Sequence, residues 1–98
     1  MPVDPNSDSL LESLETYHKF PCEYTFKAIG RNPEGFVRSV VEAVAEELGV
    51  SDDPPHSVKK TPNGRHISVT LTPLVESPQH VINVYNRLQA LDDLVMLM

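Results

Sequence analysis

Tryptophan is missing from this 98-residue chain, cysteine occurs once, and aromatic residues make up only 6% of it. A single thiol, Cys22, cannot form an internal disulfide, so burial and hydrogen bonding must hold the fold, and a reducing cytoplasm is the expected setting. Long apolar runs are missing too. Nothing approaches the roughly 18 consecutive apolar residues that span a bilayer. The opening MPVDPNSDS lacks the basic start and apolar run of a secretion signal, so no membrane role is expected. Positive charge is scarce: 8 Lys and Arg stand against 14 Asp and Glu, for a net charge of −6. The deficit is uneven, −4 over residues 1–23 and −2 over residues 24–98. Binding driven by phosphate neutralisation is therefore disfavoured and nucleic acid is not an expected partner, although bases can still gather on one face.

What remains is an ordinary globular composition, 40% hydrophobic and 22% charged. A chain this long buries roughly two-thirds of its unfolded surface and needs no staple. Residues 1–22 read as a polar tail followed by a short amphipathic helix. Leu10, Leu11, Leu14 and Tyr17 supply its stripe, Ser7 or Asp8 its cap, and Pro21 its end. Residues 23–98 read as one domain. Tyr24, Phe26 and Ala28 alternate with Thr25, Lys27 and Ile29, as in a half-buried strand that Gly30 interrupts. Asn32, Pro33 and Glu34 open a helix over about 33–48, with Phe36, Val37, Val40, Val41, Val44 and Leu48 on its inner face and Gly49 just past its end. The segments HSVKK and RHISVTLTPL flank Asn63-Gly64 and read as a hairpin with a tight turn. Ser77-Pro78 then starts a second helix over about 78–90, striped by Val81, Val84, Tyr85 and Leu88, and LVMLM closes the chain as a strand.

Strand, helix, strand, strand, helix, strand is the order. Each element has one apolar side, so both helices must cover one face of one antiparallel sheet. Right-handed crossovers then give an α+β, ferredoxin-like βαββαβ sandwich with sheet order 4-1-3-2.

The run LLESLETYHKFPCEYTFKAIG, the hairpin VKKTPNGRHISVTLT and the ending YNRLQALDDLVMLM resemble the small bacterial YbeD-like family over about residues 10–98. The resemblance is carried by Phe20-Pro21, Gly30, the segment Val84-Tyr85-Asn86-Arg87-Leu88, and Val95-Met96. It implies a ferredoxin-like fold similar to ACT regulatory domains and brings no established activity. The longer N-terminus and the SDDPPH loop depart from the family pattern.

Four constellations invite a functional reading. The loop Gly30, Arg31, Asn32, Pro33, Glu34, Gly35 corresponds in ACT-like domains to one that lines an amino-acid site, usually at a dimer interface, and helix N-terminal N–H groups favour an anion. The competing reading is a tight turn and a well-capped helix, and Glu34 opposes an anion there. The stretch GRNPEGFVR followed by VKKTPNGR is similar to acylphosphatases, with Arg38 at the phosphate-holding spacing from Gly30. Lys60 stands where that family needs an Asn, and an ammonium has no acceptor to orient a water. Lys27, Lys59, Lys60, Arg65 and His66 are expected on the open sheet face and its hairpin beside Ser68 and Thr70, with Thr25 and Ile29 also facing outward. Base stacking needs exposed aromatics, and Tyr24 and Phe26 are expected to point inward. His18, Cys22, His56, His66 and His80 show no zinc-like spacing, so neither metal nor cofactor is expected.

The sequence thus points to a non-enzymatic regulatory or interaction module. A second copy, another protein or a small effector is the expected partner, with Gly30, Arg31, Asn32, Glu34, Gly35 and the face of Lys27, Lys59, His66, Ser68 and Thr70 as candidate sites.

Overall fold

Phe26, Ala28 and Gly30 alternate with Lys27 and Ile29, and Ile67, Val69 and Leu71 alternate with Ser68 and Thr70, so two strands each offer one apolar face to the same layer. The computed structural model describes Leu14 and residues 18–31 and 33–98. Its elements are β1 (Cys22–Glu23), β2 (Phe26–Gly30), α1 (Pro33–Leu48), β3 (His56–Lys60), β4 (Ile67–Leu71), β5 (Leu74–Val75), α2 (Pro78–Gln89) and β6 (Leu94–Leu97). The four-stranded sheet has the order β3-β4-β2-β6, with every neighbouring pair antiparallel. A separate two-stranded sheet joins β1 to β5.

Helix α1 starts at Pro33, whose fixed φ suits a first turn, and carries Glu34 against the positive helix end. It stops at Gly49, where φ is 67°. The Gly49 N–H donates to the Glu46 carbonyl at 3.2 Å and the Val50 N–H to the Ala45 carbonyl at 3.1 Å, the paired bonds of a Schellman ending. Helix α2 is capped by Ser77, whose hydroxyl accepts from the His80 N–H at 3.3 Å, and Pro78 follows at its first turn. Phe36, Val40, Val41 and Val44 from α1 and Val81, Ile82, Val84 and Leu88 from α2 bury against Phe26, Ala28, Ile67, Val69 and Leu71. Truncating one of the larger of these side chains to alanine costs about 2–5 kcal/mol.

Three readings of the sequence need correction. Strand pairing begins at Phe26, two residues later than the alternation suggested. Tyr24 lies before β2, its N–H bonded to the Pro73 carbonyl at 3.1 Å and its ring 5.0 Å from that of Phe26. The β1–β5 pair was not foreseen, because two-residue strands are too short to show a period. The hairpin turn is longer than two residues. The Thr61 N–H donates to the His66 carbonyl, leaving residues 62–65 as a four-residue loop. Asn63 Oδ1 accepts from the Thr61 hydroxyl and the Arg65 N–H, both at 2.9 Å, and Gly64 takes φ 72°. Asn63 therefore acts through its side chain.

The N-terminal helix was expected from Leu10, Leu11, Leu14 and Tyr17. Leu14 is helical, accepts from the His18 N–H at 3.0 Å and is 6% exposed within the core. The remaining positions of that stripe, its cap at Ser7 or Asp8 and the Asn32 cap of α1 lie outside the described residues.

Gly30 is required for space. A Cβ there would lie 2.5 Å from the Phe36 ring. Gly30→Ala is expected to destabilise the fold by about 1–3 kcal/mol through overpacking. Urea unfolding measures this, and Phe36→Leu in the same chain should recover part of the loss. An unchanged midpoint in the single variant would show that the ring moves aside freely.

Candidate functional site

The face of the sheet that none of the described helices covers is assembled by strand register. Ser57, Thr70 and Lys27 stand side by side across β3, β4 and β2, and Met98 continues the row by exchanging both backbone bonds with Lys27, at 3.0 and 2.8 Å. Lys59, Ser68, Ile29 and Met96 form the next row. Directly opposed residues share a face, and the face away from the helices is the one these two rows occupy. Four expected residues, Lys27, Lys59, Ser68 and Thr70, are thus brought together. His66 follows Ser68 at the strand period but sits in the turn, where its N–H donates to the Thr61 hydroxyl at 3.2 Å. Lys60 is a correction: it opposes Ile67 and so takes the helix-side face at the sheet edge.

Met96 and Met98, 51% and 52% exposed, were missed. LVMLM was read as one apolar strand, and its alternate positions were the signal that could have found them. They give the face an apolar side next to its lysines. Methionine suits such a surface because its flexible, polarizable side chain adapts to different contacts.

The helix layer carries opposite charge. Arg38 Nη2 meets Asp53 at 2.9 Å and its Nε meets Glu42 at 3.2 Å. Arg87 meets Glu46 at 2.9 Å and Glu47 at 3.1 Å, which ties α2 to α1. The hydrogen bond between them raises the Arg38 pKa and lowers that of Asp53. Arg38, the position matched to a phosphate-holding arginine, is therefore held by two carboxylates.

Gly30, where the Gly30–Gly35 loop begins, opposes Ile67 and so takes the helix-side face. The space beside Gly30 is filled by the Phe36 ring. The Arg31 N–H donates to the Asp93 carbonyl at 2.9 Å, the Gly35 carbonyl accepts from the Ser39 hydroxyl at 3.1 Å, and Glu34 is exposed. Asn32 falls outside the described residues. The loop's glycine and its next helical carbonyl are thus engaged within the fold.

A groove of about 460 Å³ lies at the end of α1, lined by Leu48, Val50, Asp52, Pro54, Pro73 and Leu74. Nothing in the sequence marked it, because its walls come from segments far apart in the chain. Beside it, His80 Nδ1 is buried with no hydrogen-bond partner among the described residues. Among those residues, no three of His, Cys, Asp and Glu are placed to hold a metal ion, and no helix is long and apolar enough to cross a membrane.

These features define a small α+β domain with two helices on an antiparallel sheet and an amphipathic open face. Residues 15–98 match the family described as Protein of unknown function (DUF493), and the chain belongs to that family. This bears out the YbeD-like resemblance. The chain is 36% identical over 74 residues to a UPF0250 protein of Idiomarina loihiensis, covering 76% of this chain and 82% of that protein. It is 32% identical over 80 residues to a UPF0250 protein of Shewanella amazonensis, 82% of this chain and 89% of that one. A UPF0250 protein of Nitrosomonas europaea is 30% identical over 79 residues, covering 81% and 87% of the two chains.

Tyr85 offers a pH test of the aromatic cluster that joins α2 to the start of β2. Its ring lies 5.1 Å from that of Phe26 and 6.4 Å from that of Tyr24. Burial first, and then a hydrogen bond with Tyr24, push its pKa well above the ordinary tyrosine value. The unfolded chain loses this proton near pH 10 and the folded chain holds it longer, so stability present below about pH 10 is lost as pH rises toward the folded value. Tyr85→Phe should lose stability less steeply above about pH 10 than the parent, as read from urea midpoints. Equal slopes would show that Tyr85 ionises freely in the fold.

Proposed function

We propose that this domain is a non-enzymatic interaction and regulatory module of ACT-like type, built on a ferredoxin-like βαββαβ frame, that receives an acidic protein partner on its open sheet face. The element order and the sheet order β3-β4-β2-β6 support the frame. In this reading the working unit takes in Leu14 and β1 as well as the elements that follow, and the lone Cys22 thiol suits a reducing cytoplasm.

The observation that carries the proposal is the pair of rows setting Lys27 and Lys59 beside Ile29, Met96 and Met98. The ion pairs of Arg38 and Arg87 lie instead in the helix layer and the loop beside it. A partner with carboxylates around apolar side chains fits both properties of the face. Charge complementarity would steer its approach and apolar burial would hold it.

The other readings have less support. RNA binding on a sheet needs exposed rings, and the described aromatic residues Phe20, Tyr24, Phe26, Phe36 and Tyr85 are buried or half-buried. Acyl-phosphate hydrolysis needs an arginine free for the phosphate, and Arg38 is paired with Asp53 and Glu42. A small effector at the Gly30–Gly35 loop would compete with Phe36 for the space at Gly30.

An amide NMR titration with a synthetic peptide rich in Glu and Leu tests this proposal, run beside single-stranded RNA of equal charge. Shifts should map to β2, β4 and β6 with the peptide. The double variant Lys27→Glu/Lys59→Glu should weaken peptide binding about tenfold or more while changing stability by only about 0.5 kcal/mol per site. Unchanged peptide affinity in that variant, or tighter binding of the RNA, would count against the proposal.

A further inference from the structure

The two outer strands of the sheet are unlike. β3 exposes all five of its residues, including His56, Lys59 and Lys60. Charge of one sign on an edge strand discourages pairing with another chain. β6 has no charged side chain along Leu94–Leu97, and Val95 and Met96 are 45% and 51% exposed. It is the last strand of the sheet, so among the described residues nothing pairs with its outer side. Lys27 and Met98 exchange both backbone bonds, which turns the Met98 N–H and C=O toward β2. The alternation of an antiparallel ladder then turns the Leu97 N–H and C=O outward, to the open edge.

We infer that β6 is an interface for a second copy of this chain, pairing antiparallel with its own counterpart. An isologous contact brings a surface against itself, so it must be self-complementary. An uncharged apolar strand meets that condition and a lysine-bearing strand does not. A two-fold axis through Met96 sets Met96 against Met96 of the second copy and brings each Leu97 beside the other copy's Val95, the residue passed over where the β2–β6 register shifts. The two sheets then join into one of eight strands, with both helix layers on one side. The guarded β3 edges face outward at each end, so assembly stops at two copies and does not grow into a fibre. The open faces become continuous, with the two Met96 side chains at the centre and Lys27 and Lys59 of each copy flanking them. This pairing stands on the strand edge alone and does not depend on what the open face receives.

Sedimentation equilibrium from about 1 to 500 μM, a range that spans weak to moderate affinities, tests the inference. The expected result is a concentration-dependent dimer. Met96→Lys should raise its dissociation constant at least about tenfold by placing like charges together at the axis, while circular dichroism shows the fold retained. Val58→Lys, on the opposite edge, should leave dimerisation unchanged. In a Cys22→Ser background, Met96→Cys should form a disulfide-linked dimer on mild oxidation. Cα atoms of such a pair lie about 4.5 Å apart, within disulfide reach. In the unsubstituted protein, the Leu97 amide should exchange more slowly with solvent as concentration rises. A monomer at every concentration with a fast-exchanging Leu97 amide overturns the inference, as does a dimer indifferent to Met96→Lys.

Discussion

The Phe36 ring occupies the place where a side chain on residue 30 would begin, with a Cβ there only 2.5 Å away. That contact fastens the first turn of α1 to the end of β2, the strand that pairs with both β4 and β6. Because α1 begins seated there, Val40, Val41 and Val44 fall in succession over the sheet, and α2 can pack beside it with Ile82, Val84 and Leu88 inward. A side chain at residue 30 would lift the ring and with it the alignment of the helix layer. The same contact gives Gly30, the first residue of the loop, a packing role. The space that glycine leaves open is already filled from within.

Around this frame the charges separate by layer. The arginines of the helices are joined to carboxylates: Arg38 bridges Glu42 and Asp53, and Arg87 bridges Glu46 and Glu47. These pairs are exposed, and such pairs contribute little to stability individually. Their larger consequence is that acidic groups gather on the helix side while Lys27 and Lys59 stand on the other. A chain with a net charge of −6 thereby presents a face where cations and exposed methionines lie together. Phosphate neutralisation by the whole chain would be weak, yet a local acidic surface with apolar side chains meets a favourable field there.

The edges of the sheet follow a related logic. A strand with free hydrogen-bonding groups invites pairing unless charge or shape prevents it. Lys59 and Lys60 guard β3, whereas β6 carries no charge along its length and is interrupted only by a register shift in its pairing with β2.

The sequence by itself determined the elements that announce themselves locally. Ser77-Pro78 and Gly49 marked helix ends because capping is settled within one turn of chain, and the bounds of α1 followed from Pro33 and Gly49. The alternation in β4 placed Ile67, Val69 and Leu71 inward because a strand's period needs no partner to be read. It also placed Lys27, Ser68 and Thr70 on the outer side. Tertiary structure alone decided the rest. The β1–β5 pair joins segments some fifty residues apart, too short for any pattern. Lys60 fell to the helix side, and Met96 and Met98 to the open face, through registers set by pairing across strands. Val50 and Leu74 became walls of one groove only when the ends of distant elements met. Caps and periods are local energies written into neighbouring residues, whereas register, edge exposure and the meeting of distant side chains arise only when the chain has closed on itself.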